Sequence, residues 1–272
     1  MNIDKIMNNV KDKHQLIHSI TNYVSVNDCA NIILASGASP IMADEALEMD
    51  DITNISHGLN INIGMLNQNK EKSIYLACYK ANNLHHPILL DPVGVGASSY
   101  RQHFVSSLLK SIHFDVIRGN LSEIKSLVEN SLTYGVDTIE TITQDNLDEV
   151  IEFIKIVAKQ FHCIIAISSV IDVISNGNQT YVIYNGHPYM SKITGSGCML
   201  SALTTTYITA NKNNLLEACA LSFLIMAIAG EKAYDKMIDN KVGTSSYRNY
   251  LIDYVSLLTS DDIRKEANYE IR

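Results

Sequence analysis

The 272-residue sequence lacks features on which several large classes of protein depend. Its formal net charge is −8, so there is no excess of lysine and arginine with which to bind nucleic acid. No apolar stretch is long enough to span a bilayer, and the longest, Ala218 to Gly230, is predicted to be a buried helix. We therefore expect neither a nucleic-acid partner nor a membrane partner.

Cysteine is scarce and scattered. The five cysteines are odd in number and contain no Cys-X-X-Cys pair of the kind that builds zinc or redox sites. The amphipathic, charged segment from Met1 to Gln15 does not resemble the apolar core of a signal peptide. These observations predict reduced, mostly buried thiols in a cytoplasmic protein. The cysteines are Cys29, Cys78, Cys163, Cys198 and Cys219.

Short apolar runs bounded by turn residues alternate with segments of helical periodicity. Apolar runs of this length suit strands that are covered by helices on both faces, and a repeated strand-helix-strand order favours a parallel sheet. We therefore predict an α/β fold with three layers, α/β/α, around a largely parallel sheet. The predicted strands are Ser39 to Met42, Gly58 to Ile63, Pro87 to Leu90, Phe114 to Ile117 and Cys163 to Ile167; the helices between them include Met1 to Gln15, Asn27 to Leu34, Glu71 to Asn82 and Asn146 to Gln160.

The pattern changes in the second half of the chain. From Val170 to Tyr184, two β-rich runs flank Asn176-Gly177-Asn178, which predicts an antiparallel hairpin at the sheet edge. Beyond Gly195 the chain is predicted to be helical nearly to its end, at about 197–210, 214–238 and 244–259. With no linker, low-complexity run or internal repeat, residues 1–272 are predicted to form a single domain.

The segment Ile193-Thr194-Gly195-Ser196-Gly197-Cys198 is the strongest local motif, because two glycines precede an apolar helix. Glycine allows successive amide groups to converge, and a helix N-terminus adds unpaired donors. Such a nest can bind the charge on a phosphoryl group. It is not a Walker loop, since no Gly-Lys-Ser/Thr follows, and an ordinary glycine loop before a helix is the alternative.

Two further motifs follow predicted strands, where open α/β sheets bind ligands. In Val116-Ile117-Arg118-Gly119-Asn120-Leu121-Ser122-Glu123, Asn120 and Glu123 can form a capping pair, or Glu123 can hold a hydrated Mg²⁺. Asp91 follows Leu89-Leu90 and is either a turn residue or a metal ligand. Two carboxylates, Arg118 and a glycine nest are the groups that phosphoryl transfer requires.

The motifs LLDPVGVGAS, VIRGNLSEI and ITGSGCMLSA, in this order and spacing, resemble the hydroxyethylthiazole kinases of the ribokinase-like superfamily. The similarity extends back to HSITNYVSVNDCAN and SPIMADE. It implies a ribokinase-like fold and Mg²⁺-assisted transfer of the ATP γ-phosphoryl group to the primary hydroxyl of 4-methyl-5-(2-hydroxyethyl)thiazole in thiamine salvage. It also implies a homotrimer with active sites between subunits.

The resemblance assigns roles residue by residue. Cys198 stands where most ribokinase-like enzymes have an aspartate base. We hypothesise that its thiol orients the substrate hydroxyl and receives the proton late, and that the helix N-terminus can lower its pKa. The thiazole contacts are Met42, Gly195, Asn22 and Gly64; the ATP contacts are Arg118, Ser168, Asn120, Ser196 and Gly197; the metal ligands are Asp91 and Glu123.

Two residues depart from the pattern that this resemblance implies. Ser169 replaces a glycine in the Ser/Thr-Gly-X-X-Asp segment that ends at Asp172, and Met65 replaces the threonine of Asn-Ile-Gly-Thr. The alternatives are a hydroxymethylpyrimidine kinase, a repair enzyme for hydrated nicotinamide cofactors, a catalytically silent nucleotide-binding regulator and a cysteine-dependent hydrolase. Cysteine at position 198 argues against the first two, and the retained carboxylates argue against the regulator.

Overall fold

The computed structural model describes residues 1–128 and 141–272. Strands and helices alternate through most of these ranges. The strands are β1 (Leu16–Ile20), β2 (Ser39–Ile41), β3 (Gly58–Asn62), β4 (Ile88–Asp91), β5 (Val116–Gly119), β6 (Ile164–Ile167), β7 (Asp172–Ser175), β8 (Thr180–Ile183) and β9 (Tyr269–Ile271). The helices are α1 (Ile3–Lys13), α2 (Val26–Ser36), α3 (Met49–Ile55), α4 (Gln68–Asn83), α5 (Ser99–Ser111), α6 (Leu121–Lys125), α7 (Leu147–Phe161), α8 (Ser196–Ala210), α9 (Leu215–Asp239), α10 (Thr244–Leu257) and α11 (Ser260–Glu266).

The strands form one mixed sheet in the order β2-β1-β3-β4-β5-β6-β7-β8-β9. Every neighbouring pair from β2 to β6 is parallel, and the pairs from β6 to β9 are antiparallel. The parallel sheet and the hairpin of β7 and β8 are therefore confirmed. The hairpin is not the outermost element, because β9 pairs with β8 beyond it.

Helices cover both faces of the sheet and enclose two apolar clusters. One cluster lies between the sheet and α1, α2, α8, α9, α10 and α11; the other lies between the sheet and α3, α4, α5, α6 and α7. The three-layer arrangement is confirmed. The segment 218–230 is buried throughout within α9, as predicted. Across the described ranges, no helix has the length and apolar character needed to cross a bilayer.

Several elements differ from the sequence prediction. The sequence pattern did not predict strand β1, because His18 and Ser19 interrupt its apolar run. His18 is buried, and its Nε2 lies 2.9 Å from the Ala43 carbonyl oxygen. The strand predicted at Phe114 to Ile117 runs from Val116 to Gly119, so Arg118 belongs to it. The C-terminal region is not helical to its end, since β9 follows α11.

Candidate active site

Five parallel strands, β1, β3, β4, β5 and β6, end side by side, and the start of α8 lies across them. Side chains alternate along a strand, so Asn62, Asp91 and Arg118 share the sheet face on which α8 packs. Asn62 and Asp91 are paired residues in the register of β3 and β4. The three predicted motifs therefore meet at one edge of the sheet.

Asp91 is fully buried at the end of β4. Its Oδ2 atom accepts hydrogen bonds from Asn62 Nδ2 and Ser201 Oγ, each at 2.8 Å. Its Oδ1 atom is also buried and finds no hydrogen-bond partner in the described part of the chain. Burial raises the pKa of this carboxyl to about 6, against the lowering influence of Arg118. One carboxylate oxygen is thus anchored and the other is available to a ligand.

Arg118 connects this carboxylate with the loop after β6. Its Nη2 donates a hydrogen bond to Ser168 Oγ, and its Nη1 lies 3.7 Å from Asp91 Oδ2. The side chain is 9% exposed, and its Nε has no partner among residues 1–128 and 141–272. A nearly buried guanidinium with an unused donor is suited to an anionic ligand. The two predicted ATP contacts, Arg118 and Ser168, lie together.

The start of α8 depends on two glycines. Gly195 precedes the helix with φ +79°, and a Cβ atom there would lie 2.7 Å from the Cβ of Ser25. A Cβ atom on Gly197 would lie 2.8 Å from Arg118 Nη1. The backbone at Ser196 and Gly197 therefore approaches the guanidinium closely. The unpaired N–H groups of this first turn form a site for an anion.

Cys198 is the partly exposed cysteine, whereas the other four are buried; all five lie within the described ranges and are free. Its Sγ lies 3.2 Å from Asn22 Nδ2 and 3.3 Å from Asn62 Nδ2. Burial, followed by the charge of Asp91, raises the pKa of the thiol. The shift from these surroundings is upward, opposite to the lowering that a helix N-terminus can give. The thiol is neutral at neutral pH.

Asn120 and Glu123 form the capping box that the sequence suggested. Asn120 Oδ1 accepts from the backbone N–H of Glu123, and Glu123 Oε2 accepts from the backbone N–H of Asn120, each at 2.8 Å. Glu123 Oε1 also accepts from the Gly94 N–H at 2.9 Å. Asn120 and Glu123 therefore cap the N-terminus of α6. Glu123 joins the loop after β4 to the start of α6, next to Asp91.

The carboxylates fit a magnesium ion. Mg²⁺ prefers oxygen ligands and keeps several waters, so it needs only one or two carboxylates together with substrate phosphates. The unpartnered Oδ1 of Asp91 meets this requirement directly. Glu123 retains one lone pair on each oxygen after its backbone contacts. Its charge raises the pKa of Asp91, so the two acids act on each other across the site.

A cavity of about 450 Å³ opens beside Arg118 and the start of α8. Asp172 lies in its wall with Oδ1 accepting the Ser169 N–H at 2.9 Å, and burial raises the Asp172 pKa to about 7. The φ angle of Ser169 is not positive, so this loop does not require the glycine that Ser169 replaces. The apolar wall suits a planar, uncharged ring. It includes Val170, Leu200, Phe223, Met226 and Ala227.

The remaining predicted substrate contacts lie towards β1 and β2. Gly64 follows β3, and its N–H donates to Asn62 Oδ1 at 2.9 Å. Asn22 follows β1 and touches both Asn62 and Cys198. Met42 directly follows β2 and packs on the apolar cluster. Met65 is 40% exposed, and its thioether offers no hydroxyl where the resemblance implied a threonine.

Sequence reasoning missed two contributors. Ser201 was not singled out, although it lies three residues after Cys198 and therefore on the same side of α8. Asn62 was noted only as part of the Asn-Ile-Gly motif, yet it contacts both Asp91 and Cys198. Its place at the end of a buried strand beside Asp91 was the signal that could have revealed it.

Comparison with known proteins gives one consistent result. The sequence model of the hydroxyethylthiazole kinase family matches residues 7–261. The hydroxyethylthiazole kinase of Clostridium acetobutylicum is 51% identical over 97% of each chain, and that of Clostridium beijerinckii is 44% identical over 97% of this chain and 95% of its own.

Solved structures agree. The structure of the hydroxyethylthiazole kinase protein from Pyrococcus horikoshii OT3 is similar with a TM-score of 0.88 and 31% identity, covering 99% of this chain and 98% of that one. An ADP complex of Bacillus subtilis pyridoxal kinase, at 16% identity and a TM-score of 0.59 over 79% of this chain and 91% of its own, shares the fold alone. This chain belongs to the hydroxyethylthiazole kinase family.

Proposed function

We propose that the protein transfers the γ-phosphoryl group of ATP to the primary hydroxyl of 4-methyl-5-(2-hydroxyethyl)thiazole, a reaction of thiamine salvage. The observation that carries the proposal is the meeting of Arg118, Asp91 and the first turn of α8 beside one cavity. A buried cation, an available carboxylate oxygen and a set of backbone N–H groups are what phosphoryl transfer needs.

The nucleotide occupies the cavity beside Arg118 and the start of α8. Its base packs against the apolar wall around Phe223 and Met226. Its phosphates reach Arg118, Ser168 and the N–H groups of Ser196 and Gly197. This placement is supported by the nearly buried guanidinium, whose Nε is free within the described residues. The amides of α8 then face the charge that develops on the transferred group.

Asp91 and Glu123 would hold Mg²⁺, which would neutralise charge on the phosphate oxygens. Asn120 supports this pair by fixing Glu123 in the capping box. Ser201 and Asn62 hold Asp91 Oδ2, so that Oδ1 faces the site. These contacts position both acids before the nucleotide binds, which lowers the cost of assembling the site.

The thiazole alcohol lies near Cys198, between Asn22, Gly64, Gly195 and Met42. The raised pKa of Cys198 supports a neutral thiol that orients the hydroxyl. Because the transition state of phosphoryl transfer is loose, the hydroxyl proton leaves late and a strong base is not required. The sulfur forms no covalent bond to phosphorus in this scheme.

The assembly and location belong to the same proposal. Several large apolar side chains near the thiazole side are exposed, including Val24 at 64% and Leu47 at 89%. Exposed apolar surface of this kind supports burial by another subunit. The family resemblance makes the proposed assembly a homotrimer with active sites between subunits. The continuous sheet supports a single kinase domain over residues 1–272. Five free thiols and the need for ATP support a cytoplasmic location.

The test is an ATP-consumption assay with three reactions: the thiazole alcohol, hydroxymethylpyrimidine, and no acceptor. We expect rapid turnover with the thiazole alone. Faster turnover with the pyrimidine would show that the protein is a hydroxymethylpyrimidine kinase instead. Nucleotide binding without turnover in any of the three reactions would favour a catalytically silent regulator. Sedimentation as a monomer at working concentration would contradict the trimer.

A further inference from the structure

Asn62 joins four parts of the site through one side chain. It is fully buried at the end of β3. Its Nδ2 donates to Asp91 Oδ2 at 2.8 Å and lies 3.3 Å from Cys198 Sγ. Its Oδ1 accepts from Asn22 Nδ2 at 3.1 Å and from the Gly64 N–H at 2.9 Å. The metal side, the thiol and the substrate loops thus share a single carboxamide.

The carboxamide has no capacity left for a ligand. An asparagine side chain offers two N–H donors and an oxygen with two lone pairs. In Asn62 both donors point to Asp91 and Cys198, and both lone pairs are taken by Asn22 and Gly64. A buried, fully occupied side chain does not touch substrate, so any effect on the reaction must act through its neighbours.

We propose that Asn62 is a positioning residue for phosphoryl transfer: it fixes the Cys198 sulfur and the Asp91 carboxylate relative to each other and to the loop at Gly64. This inference rests on the proposed function of the site. The direct pairing of Asn62 with Asp91 in adjacent parallel strands makes their contact a product of the sheet register. By occupying Asp91 Oδ2, Asn62 and Ser201 leave Oδ1 for the metal.

Only a carboxamide satisfies these neighbours. Aspartate has nearly the same shape but would place a second acceptor against Asp91 Oδ2 and remove the donor to Cys198. Alanine keeps the backbone and removes all four contacts. Asn62→Asp therefore tests the hydrogen bonds at constant shape, and Asn62→Ala tests the side chain as a whole.

The strand supplies its own matched control. Asn60 lies two residues earlier on the same face of β3 and is also fully buried. Its Nδ2 donates to Ser19 Oγ at 2.8 Å, and its Oδ1 finds no partner among the described residues. Asn60→Ala thus removes a buried asparagine beneath α8 without removing a contact to Asp91 or Cys198.

We expect Asn62→Ala to lower kcat for the thiazole alcohol by about 50-fold and to raise the KM for ATP by no more than about 10-fold, the factor expected from weaker metal binding. Asn62→Asp should not restore kcat. Asn60→Ala should keep kcat within about 3-fold of the wild-type value. Thermal unfolding shows whether each variant is folded, and Asn62→Ser replaces Asn62→Ala if the latter is not. Equal loss of kcat in the Asn60 and Asn62 variants, or near-wild-type kcat in Asn62→Asp, would overturn the proposal.

A second readout does not depend on the acceptor. Mn²⁺ binding in the presence of ADP, followed by electron paramagnetic resonance, reports on Asp91 directly. We expect about 10-fold weaker Mn²⁺ binding in Asn62→Ala and unchanged binding in Asn60→Ala. Wild-type Mn²⁺ affinity in Asn62→Ala would contradict the positioning role. A wild-type protein that binds Mn²⁺ and ADP but does not phosphorylate the thiazole would refute the proposed function. Mn²⁺ binding by Asn62→Ala and Asn60→Ala would still test whether Asn62 positions Asp91.

Discussion

Ser201 Oγ lies 2.8 Å from Asp91 Oδ2, so the helix that carries Cys198 also holds the buried carboxylate of β4. Ser201 is itself fully buried. The two residues come from distant parts of the chain, and their contact ties the start of α8 to the centre of the sheet.

Ser201→Ala should lower kcat by about 10-fold and raise the Mg²⁺ concentration needed for half-maximal rate, because Asp91 loses one of its anchors. Steady-state kinetics over a Mg²⁺ series measures both effects. Ser222→Ala is the control: Ser222 is equally buried and bonds Thr204, away from the site. Equal behaviour of the two variants would contradict a role for Ser201 in holding Asp91.

Gly197→Ala should raise the KM for ATP by about 10-fold, since its new methyl group would displace the Arg118 guanidinium. The same substitution at Gly243 serves as control, because no atom lies within 4 Å of the Cβ position there. Initial rates at varied ATP settle the comparison. An unchanged KM in Gly197→Ala would show that Arg118 does not contact the nucleotide.

Cys198→Ala should retain measurable turnover, with kcat reduced by about 10- to 100-fold, because a neutral thiol that only orients the hydroxyl is helpful but not essential. Cys78→Ala, a change within the buried face of α4, should keep wild-type kcat. Intact-protein mass spectrometry during turnover tests for phosphorylated cysteine. Complete loss of activity, or a trapped phosphocysteine, would contradict the mechanism.

Asp172→Asn should stabilise the protein at alkaline pH. Burial raises the Asp172 pKa from 3.8 to about 7, so the folded state binds this proton more tightly than the unfolded state. Protonated Asp172 makes its full contribution to the stability of the folded protein below pH 3.8, and this contribution is lost as pH rises through about 7. Asparagine keeps the acceptor for Ser169 without the charge.

Urea unfolding at pH 5 and pH 8 measures this effect. We expect the free energy of unfolding of Asp172→Asn to exceed that of the wild type. This difference should be larger at pH 8 than at pH 5 by roughly 2 kcal/mol. A difference that shrinks with rising pH would show that Asp172 is not held with a raised pKa.

Much of the fold was predictable because apolar runs and turn residues mark central strands directly. The parallel sheet, the hairpin and the buried α9 followed from such patterns. Strand β1 did not, because its buried His18 and Ser19 find partners only in the tertiary structure. The short β9 depends on pairing with β8 rather than on its own composition.

For the site, sequence alone indicated which residue types stand at strand ends. It could not show that Asn62 faces Cys198, or that Ser201 reaches Asp91, because those contacts depend on how α8 crosses the sheet. The motif indicates that Cys198 begins a helix, which can lower the pKa of its thiol, but a local motif does not reveal the burial that raises this pKa. The capping box at Asn120 and Glu123 was visible, because it is local.

Both oxygens of Glu123 are already engaged by backbone N–H groups of two loops. A related protein without catalytic activity would still need an acid at this position, because Glu123 caps the start of α6 and accepts the Gly94 N–H. Asp91 also accepts two hydrogen bonds through Oδ2, but its Oδ1 is buried without a partner among the described residues, which destabilises the fold unless a ligand binds there. When related chains are sorted into active enzymes and inactive copies, preservation of Asp91 is therefore the more informative criterion.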